Sequence, residues 1–251
     1  MVTDMNRNNS KKYFICVLAL IVQFGFSQQS KPNVILVLTD DQGIGDLGCH
    51  GNPWLKTPNI DAFYKDAVRM TDFGELSDYW GNTYFNDTYF VNEEPKRFEG
   101  YCTDVWFDEA MKFIEDTEEP FFIYLPTNAP HSPHYVDEKY AEPYKSLVGA
   151  EIPNAEFFGM IANIDENFGR LEKFLKKRKL ADNTILIFMT DNGATAGFDS
   201  KRNLGYNMGF RGRKGDELEG GHRVPFFIRW KEGKVTGGWD INATTAHVDL
   251  I

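Results

Sequence analysis

Four short strings hold most of the residues able to do chemistry. Thr39-Asp40-Asp41-Gln42-Gly43 follows the apolar run NVILVL, and Thr190-Asp191-Asn192-Gly193 follows TILIFM. Together they bring the carboxylates of Asp40, Asp41 and Asp191 and the carboxamide of Asn192 to the ends of two strands. That much negative charge in one place is unfavourable unless a cation neutralises it. An all-oxygen donor set selects a hard ion, Ca²⁺ or Mg²⁺, over Zn²⁺. One Asp-Gly turn says little, because these are ordinary turn residues; two, each closing an apolar strand, say much more. A third apolar run, PFFIYL, leads into Thr127-Asn128-Ala129-Pro130-His131. Finally, residues 201–223 carry Lys201, Arg202, Arg211, Arg213, Lys214 and Arg223 against only Asp216, Glu217 and Glu219. An acidic chain that handles an anion must concentrate positive charge in this way. Lys201, Arg202 and Arg211 read as a solvated part of that loop.

The elements that would position these residues are legible. Residues 33–38, 120–125, 184–189 and 224–230 are continuously apolar, as strands covered on both faces are. Between them, Thr57 reads as a helix cap with Pro58 at the first position, and Ile60, Phe63, Tyr64, Ala67 and Val68 form one face. A second helix is expected after Asp104, with Trp106, Ala110, Phe113 and Ile114. A third spans about 155–178, with Ile161, Ile164, Phe168, Leu171 and Leu175 at helical spacing. Strands separated by helices imply an α/β fold, a mostly parallel mixed sheet sandwiched by helices. Ligands bind such sheets at the carboxyl ends of the strands, where the four strings lie.

The 251 residues suffice for one α/β domain, and a formal net charge of −10 argues against a nucleic-acid partner. Arg7, Lys11 and Lys12 precede an apolar run over residues 13–26, too short for the ~20 residues of a membrane-spanning helix. Small residues at Gly25 and Ser27 complete the pattern of a secretory signal over residues 1–27, cleaved after Ser27. The expectation is an exported protein, periplasmic or extracellular, with no membrane span after cleavage. Cys16 leaves with the signal, and Cys49 and Cys102 read as isolated thiols rather than a pair.

The strings PNVILVLTDDQGIGDLGCHGNPWLKTPNIDAF, LPTNAPHSPH, MIANIDENFGRLEKFL, NTILIFMTDNG and FRGRKGDELEGGHRVPFFIRW together resemble sulfatases of the alkaline phosphatase-like superfamily. The likeness covers nearly all of residues 28–251, which it marks as a sulfatase catalytic domain. It implies sulfuric ester hydrolysis at a site with one divalent cation, usually Ca²⁺. By that resemblance Asp40, Asp41, Asp191 and Asn192 hold the ion. His131, in the A-P-H motif, contacts the sulfate ester and assists the leaving group. Lys214, in R-G-x-K-G…E-G-G, contacts the sulfate and stabilises charge on the transferring group. His134 reads as a bystander, and His50, His222 and His247 as structural.

The chain departs from this family's pattern. Relatives carry C-x-P-x-R or S-x-P-x-R after the first helix, and its Cys or Ser becomes the formylglycine nucleophile. No such string occurs here: Cys49 is followed by His50-Gly51-Asn52-Pro53, and Ser132 by Pro133-His134. The G-K-W-H-L-G-like segment is absent too. The sequence reads as internally deleted near 73–74 and as stopping short of a C-terminal subdomain. An incomplete fold with exposed apolar surface is therefore expected, with little turnover for want of a nucleophile. The partner would be a sulfate ester or a sulfated glycan. The alternatives are a non-catalytic protein binding Ca²⁺ and sulfated glycan, and a phosphatase or phosphodiesterase of the same superfamily. The aromatics of residues 78–90 read as core in preference to a sugar platform.

Overall fold

The computed structural model describes residues 31–70, 73–74, 84–92 and 94–250; the expected signal segment lies outside them. Its framework is strand β1 (Asn33–Thr39), helix α1 (Pro58–Asp66), β2 (Val68–Met70), α2 (Cys102–Glu115), β3 (Phe122–Pro126), α3 (Ala155–Lys177), β4 (Thr184–Thr190), β5 (Phe226–Arg229) and β6 (Asp240–Ile241). These strands form one six-stranded sheet in the order β6-β2-β5-β4-β1-β3. β1 runs parallel to both β3 and β4, while β5 lies antiparallel between β4 and β2. The sheet is thus mixed, with a parallel centre. No helix among the described residues is long and apolar enough to cross a membrane.

Alternation along the strands sets two faces. Ile35, Val37, Leu186, Phe188 and Phe227 pack against Ile60, Phe63, Phe107, Ile164, Phe168, Leu171 and Leu175 of the three helices. α3 lies deepest, with Phe157, Phe158, Ile161, Ile164, Phe168, Leu171 and Leu175 all buried. Truncating a buried phenylalanine of this kind costs about 3–5 kcal/mol. Asn154 starts α3 by accepting the Phe157 N–H (2.7 Å). Lys179, just past its end, stands in the left-handed region at φ 60°.

The opposite face is less covered. Ile187, Met189, Val224 and Phe226 are buried there, with Leu36, Leu38, Ile185 and Ile228 only partly so. On the edge strand β3, Phe122 is 66% and Tyr124 53% exposed. Residues 120–125 therefore do not form a strand covered on both faces. An apolar run does not reveal which strand ends up at an edge.

Two boundary expectations change. α2 begins at Cys102, ahead of Asp104. Thr57 makes no side-chain cap to α1; its hydroxyl donates to Asp61 Oδ1 (2.7 Å) and accepts from Gly48 N–H (2.9 Å). The cap comes from α3, where Asp165 Oδ1 accepts the N–H groups of Asn59 (2.9 Å) and Ile60 (2.7 Å). A carboxylate at a helix N-terminus satisfies orphan donors and suits the dipole, whichever element supplies it. Within residues 78–90, Tyr84 and Tyr89 are core, whereas Phe85 and Phe90 are exposed; residues 78–83 lie outside the described residues. Cys49 and Cys102 are both free thiols.

Candidate functional site

Strand register assembles the site. β1 and β4 pair in parallel with Thr39 opposite Thr190, so Asp40-Asp41 and Asp191-Asn192 leave the sheet side by side. β1 also pairs with β3, Leu38 opposite Pro126, which delivers residues 127–131 to the same edge. Because β5 is antiparallel to β4, its start at Phe226 lies beside Met189 and brings the E-G-G segment in from above. Gly193 N–H then donates to Gly221 O (2.9 Å). A Cβ on Gly193 would stand 2.0 Å from Gly220 O, so this crossing of two backbones requires glycine.

The predicted residues converge on Asp41, which is 1% exposed. Its backbone N–H donates to Asp191 Oδ1 (2.8 Å), and its Oδ1 accepts from Asn192 Nδ2 (2.8 Å). Lys214 Nζ lies 2.6 Å from Oδ1, and His131 Nε2 3.7 Å from Oδ2. Asp41 itself adopts φ 68°, a left-handed conformation that aspartate tolerates better than most residues. Such backbone outliers gather at functional sites. Asp40 is tied in through its N–H to Ala129 O (3.2 Å). One ligating atom from each of Asp40, Asp41 and His131 lies within 4.8 Å of the others. His131, expected on the ester, thus also borders the acidic cluster.

This donor set suits a hard divalent cation. It is buried and rich in carboxylate, and Asn192 Oδ1 is a buried acceptor with no hydrogen-bond partner among the described residues. In the arrangement described, the Lys214 ammonium meets the charge of Asp41. Beside Lys214 a recess of about 250 Å³ is lined by Thr195 and Arg213. Two cations at its wall fit it for a tetrahedral anion.

The His131 ring is oriented by its own loop. Nδ1 lies 2.7 Å from Ser132 O; a carbonyl only accepts, so Nδ1 carries the proton and Nε2 faces the carboxylates. His134 stands edge-on to Phe157. Burial holds its pKa below the ordinary value, and the nearby Asp41 charge opposes that shift. His50 stands edge-on to Tyr64 and Phe227, with Nδ1 2.7 Å from Ile44 O.

Several supporting residues escaped the sequence reading. Buried Gln42 joins both strand ends: it accepts from Thr39 Oγ1 at its side chain (2.9 Å) and from Thr190 Oγ1 at its carbonyl (2.7 Å). Its amide donates to Asp46 O (3.0 Å). Asn207 Nδ2 donates to Gly212 O (2.9 Å) and steadies the basic loop. Gln42 stands inside the T-D-D-Q-G string, and its place between two carboxylates and a glycine was the available signal. Asn207 gave none.

The sulfatase family model matches residues 63–251. The chain belongs to the sulfatase family. It is 31% identical over 165 residues to the uncharacterized sulfatase YdeN of Escherichia coli (strain K12), covering 64% of this chain and 28% of that protein. It is 29% identical over 215 residues to N-acetylgalactosamine-6-sulfatase of Sus scrofa, covering 84% and 36% respectively. The chain thus spans about a third of the length of these curated relatives. Among solved structures, the fold matches Ps i-CgsB in complex with k-i-k-neocarrahexaose at TM-score 0.74 and 22% identity, covering 88% of this chain and 70% of that one. It matches BT4656 in complex with D-glucosamine-2-N,6-O-disulfate at TM-score 0.73 and 15% identity, covering 88% and 75%. The architecture is the alkaline phosphatase-like one. Sulfatases as a family hydrolyse sulfuric esters and usually bind a metal.

Proposed function

We propose that this sulfatase-family chain holds a sulfate ester at a Ca²⁺ site and turns it over slowly or not at all. Asp40, Asp41, Asp191 and Asn192 would hold the ion, with Mg²⁺ the alternative; Lys214 and His131 would contact the ester. The observation that carries this reading is the convergence of Lys214, His131, Asn192 and Asp191 on one buried carboxylate, Asp41.

When bound, the cation would polarise a sulfate oxygen as a Lewis acid. The chain's own residues do the rest. Lys214, with Arg213 on the same recess, orients the anion and offsets charge on the sulfuryl oxygens. His131, held by Ser132, presents Nε2 toward the ester's leaving oxygen. Asp41 fixes the Lys214 ammonium through its carboxylate. No C-x-P-x-R or S-x-P-x-R string supplies a formylglycine precursor, so covalent attack on sulfur has no agent. Loss of a nucleophile removes several orders of magnitude of rate, while binding survives.

The substrate class is a sulfate ester, small or carried on a glycan, as the saccharide ligands named for the structural relatives suggest. The N-terminal pattern Arg7-Lys11-Lys12 followed by an apolar run supports export to the periplasm or the medium.

The test has two arms, both with saturating Ca²⁺. Calorimetry with a sulfated monosaccharide should give saturable binding that Lys214→Ala weakens about tenfold or more. p-Nitrophenyl sulfate should be cleaved barely above buffer. Rapid release of p-nitrophenol would overturn the inactivity; no binding of the sulfated sugar would overturn the site.

A further inference from the structure

Tyr84 is 3% exposed and sits beneath the loop that carries His131. Its ring lies 5.9 Å from that of Tyr101, near parallel, and its carbonyl accepts the Cys102 N–H (2.8 Å). A phenylalanine would fill the same space. What it would lack is the hydroxyl, which lies 2.7 Å from Asn128 O and 2.5 Å from His131 O. One proton shared between two carbonyls closes the turn whose other bond is His131 N–H to Asn128 O (3.1 Å). The Asn128 side chain is held from the same side, its Oδ1 accepting from the Cys102 thiol (3.1 Å).

The rest of this loop is fastened differently. Thr127 is bonded to Leu38 O through its N–H (2.8 Å), and Asp40 N–H reaches Ala129 O. Both ties belong to β1. Residues 128 and 131 are instead gripped by Tyr84 and Cys102, which enter the site from α2 and the segment before it. The height of the His131 backbone above the carboxylates is thus set from the helical layer.

We propose that the Tyr84 hydroxyl is a positioning group for His131, clamping the 128–131 turn so that the imidazole faces the acidic cluster. The proposal rests on the functional reading above only for the role it gives His131; the clamp itself is a matter of geometry. Burial raises the Tyr84 pKa, with the charges of Cys102, Asp40 and Asp41 adding to it, so the hydroxyl keeps its proton and remains a donor at neutral pH.

Tyr84→Phe tests this in the full chain. Far-UV circular dichroism and Ca²⁺ affinity should stay within about twofold of the parent, because no carboxylate is touched. Affinity for inorganic sulfate at saturating Ca²⁺ should fall about fivefold, the scale of one lost hydrogen bond. In ¹⁵N-edited spectra at fixed pH, the His131 Nδ1–H resonance, assigned by its disappearance in His131→Gln, should shift or broaden. An unchanged ring resonance would overturn the clamp. So would joint loss of Ca²⁺ binding and helicity, which would make the hydroxyl a fold element only. If the parent chain binds neither Ca²⁺ nor sulfate, the functional reading fails, and the ring resonance alone still decides the role of Tyr84.

Discussion

Asp46 is a buried carboxyl with no counter-cation among the described residues, and it should make this fold less stable as pH rises through neutrality. The side chain is fully buried. Oδ2 accepts Gly43 N–H (2.9 Å), while Oδ1 has no hydrogen-bond partner among the described residues. Gly197 closes over Oδ1 so tightly that a Cβ there would be 2.1 Å away. Burial pushes the pKa up to about 8, with the Gly43 hydrogen bond pulling the other way. The native state therefore keeps the proton up to about pH 8, whereas the unfolded chain loses it near the ordinary value of 3.8. Between those limits the folded state binds more protons, so stability falls as pH rises, and the penalty levels off above pH 8. Each pH unit inside the window costs ~1.4 kcal/mol. From pH 5.5 to 8 that amounts to about 3 kcal/mol, a large fraction of the 5–15 kcal/mol typical of a whole domain. Asp46→Asn keeps an acceptor for Gly43 and removes the titration. Urea unfolding of parent and variant, followed by tryptophan fluorescence in chelator at pH 5.5, 7 and 8.5, isolates the effect; the acidic cluster is common to both and cancels. The parent should lose about 3 kcal/mol more than the variant over this range. Parallel curves would refute the reasoning.

Two further perturbations test the fold around the site. Asp165→Ala strips α1 of its cap and leaves the Asn59 and Ile60 N–H groups short of an acceptor; it should cost about 2–3 kcal/mol in urea unfolding, and a loss within error would show that Asp165 is not the cap. Gly193→Ala places a methyl 2.0 Å from Gly220 O, so the E-G-G segment must move and Lys214 with it. Sulfate affinity should drop about tenfold or more, and unaltered binding would show that the crossing is not tight.

What could be read from the chain alone was what depends on local order. Asp40, Asp41, Asp191 and Asn192 stand out because each pair directly follows an apolar strand, and parallel pairing of β1 with β4 juxtaposes them. His131 and Lys214 came from motif strings. What was missed joins elements distant in sequence. Asp165 caps a helix more than a hundred residues before it, which no local cap signal at Thr57 could disclose. Tyr84 reaches carbonyls 44 and 47 positions away. Phe122 and Tyr124 looked buried because an apolar run carries no mark of being at a sheet edge.

The account depends on a cation bridging the ends of β1 and β4, and a Ca²⁺ titration of the metal-free chain tests that most directly. Isothermal calorimetry should show one saturable Ca²⁺ per chain. Asp191→Ala should weaken it about tenfold or more. At a hundredfold excess over Kd the ion should add about 2.7 kcal/mol of stability to the parent. No heat, no stabilisation and no difference between parent and variant would contradict the account.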